Sequence, residues 1–106
     1  MKILFDQGTP VPLRNYLPNH TVETAYEKGW SNLKNGDLLV LAEVEGFNVL
    51  ITTDQNLRYQ QNLSGRRIGV IVLLTTNWPR IKKDAALVVK AIDHLYFGSY
   101  EKIGFP

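Results

Sequence analysis

The chain has no cysteine, so disulfide frames and thiolate metal sites are excluded. It has no apolar run near the ~18 residues that a membrane-spanning helix needs, and no membrane association is expected. It has no block of one charge: 12 Lys and Arg stand against 10 Asp and Glu, a net charge of +2. Such a balance permits a phosphate-bearing partner without demanding one. The two histidines, His20 and His94, show no spacing that would pair them on a metal, and both read as structural. The opening MKILFDQG is cut by Asp6 too early to form a signal peptide's apolar region. No repeat, linker or low-complexity tract is visible. What remains is a 106-residue chain of 44% apolar composition, enough for one core. The expectation is a single cytoplasmic domain over residues 1–106.

Its apolar segments alternate in type. Ile3 to Phe5 is a short continuous run, fit for a buried strand. Pro12 to Leu17 is weakly helical, with Thr9 able to cap it and Pro18 to stop it. His20 to Thr24 is β-branched and alternating. Asn35 then caps a helix over Gly36–Glu45, with Asp37 in its first turn and Gly46 just past its end. Leu38, Leu41, Ala42 and Glu45 fall on one side of it, with Leu39 adjacent.

Phe47 to Thr53 is the clearest strand and ends at Asp54; Ile68 to Leu74 is another, apolar enough to be covered on both faces. Asn77 and Pro79 open the longest helix, on which Ile81, Ala85, Val88, Ile92 and Leu95 recur at steps of three or four. Gly98 ends it, and SYEKIGFP holds a short last strand. Strands alternating with helices predict an α/β fold: a three-layer α/β/α sandwich on a mostly parallel sheet of four to five strands.

In a parallel sheet every strand's carboxyl end lies on one edge, where open α/β proteins build their sites. Asp6 ends the first strand and Asp54 the third, while Asp37 starts a helix packed on the same sheet. Carboxylates that converge repel, and persist with raised pKa values or with a cation. Oxygen donors without Cys or paired His favour Mg²⁺ or Mn²⁺, which could activate water toward a phosphodiester. A cap at a helix start explains Asp37 and Asp54 separately; Asp6 needs another reason, because Gly8-Thr9-Pro10 already supplies the turn.

The blocks ILFDQGTPVPLRNYL, NGDLLVLAEVEGFNVLITTDQNL and GVIVL, in this order and spacing, resemble the small PIN-like proteins grouped with toxin–antitoxin ribonucleases. The resemblance covers most of residues 1 to 95. It implies a PIN-like fold and an Mg²⁺- or Mn²⁺-dependent site that hydrolyses RNA, with an antitoxin protein and a second copy of the chain as partners. Asp6, Asp37 and Asp54 fall on the family's acids and would be both metal ligands and catalytic residues. Gln7 and Asn56 stand where the family has carboxylates. As amides they keep an oxygen donor and lose the charge, so they support the site, with Thr53, instead of carrying it.

Arg58, Arg66 and Arg67 are the candidate substrate-binding cations, with Arg80, Lys82 and Lys83 after the fourth strand. Tyr59 and Trp78 are aromatics near the same edge, where packing is their commoner use. Trp30 would cover a helix edge or an oligomer surface. Two other functions fit the pattern. One is a PIN-like protein that holds RNA or an antitoxin without cutting. The other is a receiver-like phosphorylation switch laid on Asp6, Asp54, Thr75 or Thr76, and Lys102, which lacks an acidic pair after the first strand.

Overall fold

The computed structural model describes residues 1–55 and 63–106. Five strands, β1 (Lys2–Phe5), β2 (Thr21–Thr24), β3 (Val49–Thr52), β4 (Gly69–Leu73) and β5 (Tyr100–Ile103), form one sheet in the order β2-β1-β3-β4-β5. Every neighbouring pair is parallel. A 3-10 helix, Val11–Tyr16, joins β1 to β2; α1 (Asn35–Val44) lies between β2 and β3; α2 (Trp78–Lys83) and α3 (Ala85–Asp93) lie between β4 and β5.

The sheet is covered on both faces. Ile3, Phe5, Val49, Ile51, Ile71 and Leu73 point to the side holding the 3-10 helix, α2 and α3, where Leu13, Ile81, Val88 and Ile92 meet them. Leu4, Leu50, Val70 and Val72 point the other way, onto Leu38, Leu39 and Ala42 of α1. This two-sided burial is why β3 and β4 read as continuous apolar runs: every residue of both is buried. The edge strands β2 and β5 are partly exposed and carry charge, which discourages further strand pairing.

Three local expectations are corrected. The α1 helix begins at Asn35 itself, with Lys34 in the capping position and no side-chain cap, and its buried face is Leu38, Leu39 and Ala42. Glu45 is exposed; Val40 and Val44, apolar residues on the outer side, blur the pattern that sequence alone presents. The long helix is two helices broken at Asp84, a poor helix former, whose backbone leaves helical values at φ −124°. The apolar stripe still runs through the break, since Ile81, Ala85, Val88 and Ile92 are all buried. Finally, Thr9 caps no helix: the 3-10 helix starts after Pro10, and the Thr9 hydroxyl donates to the Ile51 carbonyl at 2.9 Å.

Both tryptophans serve packing. Trp30 sits edge-on to Phe47 at 6.1 Å, half-buried against the α1 side of the core. Trp78 sits edge-on to Tyr16 at 5.7 Å and joins α2 to the 3-10 helix. His20 Nδ1 lies 3.0 Å from the terminal ammonium, and His94 Nδ1 lies 2.9 Å from the Lys90 carbonyl.

Candidate active site at the carboxyl edge of the sheet

The strand order reverses between β1 and β3: from β1 the chain first goes outward to β2, then returns to place β3 on the other side. The crevice outside the carboxyl ends of two such strands is the preferred ligand site of open α/β sheets. Asp6 follows β1 and Asp54 follows β3, so both stand at that crevice.

Thr52 joins them. Its hydroxyl, fully buried, donates to Asp6 Oδ2 at 2.8 Å and accepts from the Asp54 backbone N–H at 3.0 Å. The other Asp6 oxygen accepts from the Gln7 N–H at 2.7 Å, and the Asp6 N–H extends the sheet by donating to the Ile51 carbonyl. Asp6 also turns the chain, its carbonyl accepting from the N–H groups of Gly8 and Thr9. Gly8 lies so close to Thr53 that an added Cβ would fall 2.5 Å from Thr53 Oγ1, so a larger residue there requires the Thr53 side chain to move. Among the described residues the buried polar side chains are Thr9, Thr24 and Thr52, and all three stand at or just beyond the carboxyl end of a central or edge strand.

The remaining predicted residues are placed less uniformly. Asp37 stands exposed in the first turn of α1, where the helix dipole accounts for it. Among the described residues no three His, Asp or Glu side chains gather into a group that could hold a metal. What the structure joins at Thr52 is the Asp6 carboxylate and the backbone of Asp54. Arg66 and Arg67, expected beside this edge, lie just ahead of β4, at the opposite edge of a parallel sheet. There Arg66 is paired with Glu43 at 3.2 Å, and the Arg67 N–H donates to Glu43. Arg80 is turned to structure, its guanidinium donating to the Phe105 carbonyl. Asn56, Arg58 and Tyr59 lie outside the described residues.

The structure adds a pair that the sequence reading passed over. Arg14, from the 3-10 helix, is ion-paired with Glu27, from the turn after β2. Glu27 also accepts from the Thr24 N–H at 2.9 Å, and its own N–H donates to Thr24 Oγ1 at 3.0 Å. Thr24-Ala25-Tyr26-Glu27 is therefore a capping box, a spacing that was legible in the sequence. The Arg14 guanidinium, then the Thr24 N–H, hold the Glu27 carboxyl below the usual carboxylate range. Together with Asp6, Gln7, Val11 and Tyr26 this pair lines a cleft of about 460 Å³ that opens beside the crevice.

Tyr100 feels the site from the side. Burial, and then the negative charge of Asp54, push its hydroxyl above the ordinary tyrosine pKa. Its oxygen is covered and has no hydrogen-bond partner among the described residues. Above about pH 10 the unfolded chain loses this proton before the folded one does, so Tyr100 withdraws stability as pH rises through that value. Tyr100→Phe is therefore expected to flatten the alkaline decline in the urea midpoint between pH 8 and 10.5. It should also add about 1 kcal/mol at neutral pH by removing an unpaired hydroxyl.

No protein-family model, curated protein or solved structure matches this chain.

Proposed function

We propose that this chain is a PIN-like, Mg²⁺- or Mn²⁺-dependent endoribonuclease of a toxin–antitoxin type, acting at the crevice between β1 and β3. The observation that carries the reading is the buried Thr52 hydroxyl, which donates to the Asp6 carboxylate and accepts from the backbone N–H of Asp54. A fold gains little from one buried hydroxyl that orients a carboxylate; a reaction centre gains a fixed acceptor.

The donors fit a hard cation. Only oxygen is on offer, and Mg²⁺ is ordinarily bound through one or two carboxylates while keeping several waters. Asp6 and Asp54 would hold it, with the Gln7 amide and the Thr53 hydroxyl beside them. Bound there, such an ion supplies positive charge at the phosphate and makes water more acidic. The chain's own contribution is orientation. Thr52 fixes Asp6, and the Gly8 turn brings Gln7 to the mouth of the cleft, where its amide can align a water. An antitoxin protein and a second copy of this chain are the protein partners that this reading carries with it.

The strand order is shared with receiver-like sheets. That reading loses its cation, because Lys102 lies within β5, level with Val72, and not beyond the strand's carboxyl end. A non-cutting, RNA- or antitoxin-binding protein remains the second reading. It is favoured by the amide at Gln7 and by the lack, among the described residues, of a three-carboxylate group.

Incubation of a labelled single-stranded RNA with the protein in Mg²⁺, Mn²⁺ or EDTA decides between them. Metal-dependent cleavage supports the nuclease. Shifted but uncut RNA in all three conditions supports the binder. Thr52→Val keeps the shape and removes the hydroxyl. It is expected to lower cleavage roughly 10- to 100-fold, as loss of a group that orients a metal ligand does. The same change should cost about 1–3 kcal/mol of stability, since the Asp54 N–H is left without that acceptor.

A further inference from the structure

The cleft beside Asp6 has a chemistry of its own. Its charged lining groups are Arg14, Glu27 and Asp6, and Arg14 is already committed to Glu27. The lining is therefore net acidic and unsuited to a phosphate. Its outer walls are apolar and strongly exposed: Tyr26 is 81% and Val11 52% accessible. An aromatic ring so exposed has no structural reason to be aromatic, and a ring standing over a cleft offers a face for stacking.

The backbone that carries the ring is also held. Tyr26 sits inside the capping box, between Thr24 and Glu27, and the Ala25 carbonyl next to it accepts from the Trp30 N–H at 2.8 Å. Trp30 is in turn anchored on Phe47. Glu27 is held in the same way: one of its oxygens takes both Arg14 and the Thr24 N–H. A fixed carboxylate beside an exposed aromatic face on an anchored backbone, lining a space of about 460 Å³, suits a planar ligand that presents N–H donors at its edge.

We propose that this cleft is a nucleobase subsite that stacks a base on Tyr26 and reads it through the Glu27 carboxylate. It prefers guanine, whose adjacent ring N–H and amino group can both reach the Glu27 oxygen that Arg14 and the Thr24 N–H leave uncommitted. The proposal rests on the RNA reading of the adjoining crevice and adds sequence preference to it. A guanine in the cleft lies next to Asp6, so the phosphate following or preceding that base is the one brought to the crevice. Base recognition in unpaired RNA commonly uses this combination of aromatic stacking and edge hydrogen bonds.

The test is an amide NMR titration of the full chain with guanosine, adenosine, cytidine and uridine in EDTA. Nucleosides avoid repulsion between a phosphate and the acidic lining. Guanosine is expected to shift the amides of Gln7, Arg14, Thr24, Tyr26 and Glu27 saturably, at least tenfold more tightly than uridine. Tyr26→Ala, at an exposed position, should weaken guanosine roughly tenfold or more. Glu27→Gln keeps the capping box, which accepts Gln, and should remove the preference for guanosine over uridine. Equal binding of all four nucleosides, or no response at these amides, overturns the proposal. The cleavage assay separates the two readings. Metal-dependent cleavage by a protein whose cleft ignores nucleosides leaves the nuclease standing and this subsite refuted. A guanosine-specific response without cleavage establishes the subsite and refutes the nuclease.

Discussion

On the nuclease reading, Asp6→Asn is expected to lower RNA hydrolysis by roughly 10²–10³-fold, the range for losing one charged group that acts in the transition state. The change is small in space. Asn at this position still accepts from the Gln7 N–H, and the β1–β3 ladder through the Asp6 N–H is untouched. What disappears is the charge, together with the acceptor for the Thr52 hydroxyl, which must then find another partner. The folding cost should stay near 1 kcal/mol. Calorimetric titration with Mn²⁺ and Mg²⁺ makes the test independent of turnover: saturable binding to the wild type should be lost in the variant. Equal metal binding by both proteins would remove Asp6 from the site, and with it the nuclease reading.

The largest effect on stability is expected at Leu50. It sits in the middle of β3, pairs with Leu4 on one side and Val70 on the other, and is fully buried against α1. Leu50→Ala leaves a cavity that the crossing strands cannot fill, because both neighbours are held in register by backbone hydrogen bonds. The expected cost is about 2–5 kcal/mol, set against a total near 5–15 kcal/mol for a domain of this kind. In a thermal melt this corresponds to a fall of roughly 10–30 °C. Urea unfolding should give a lower midpoint at an unchanged slope. A loss under 1 kcal/mol would mean that the α1 layer is not packed as described.

Much of this architecture was legible in the residues. The runs at Ile3–Phe5, Val49–Thr52 and Gly69–Leu73 announce strands buried on two faces, and Asp6 and Asp54 announce where two of them stop. Strand order was not legible, because apolar runs carry no information about which neighbour they meet. Arg66 and Arg67 were misplaced for a related reason. Nearness to Asp54 in sequence suggested nearness in space, yet β4, parallel to β3, begins at the edge opposite to the one where β3 ends. The Arg14–Glu27 pair escaped notice because each partner lies in a short turn with little periodicity, although the Thr-x-x-Glu spacing around Thr24 was available. The break at Asp84 left the apolar stripe intact, so periodicity alone could not reveal it.

An all-parallel register has a kinetic meaning. No strand here finds its partner across a tight turn. Lys2 pairs with Thr21, Val49 with Gly69, Val70 with Tyr100, and Ile3 with Val49. Loop closure must precede every pairing, and the longest loop belongs to β1 and β3, whose ends carry Asp6 and Asp54. Folding should accordingly be slow for a chain of this length, in the range of milliseconds or longer. The pairing with the longest loop is also the one that brings Asp6 to Thr52. A nascent or partly unfolded chain therefore lacks the Asp6–Thr52 contact, and protection of the Thr52 region on refolding should coincide with the slowest structural phase.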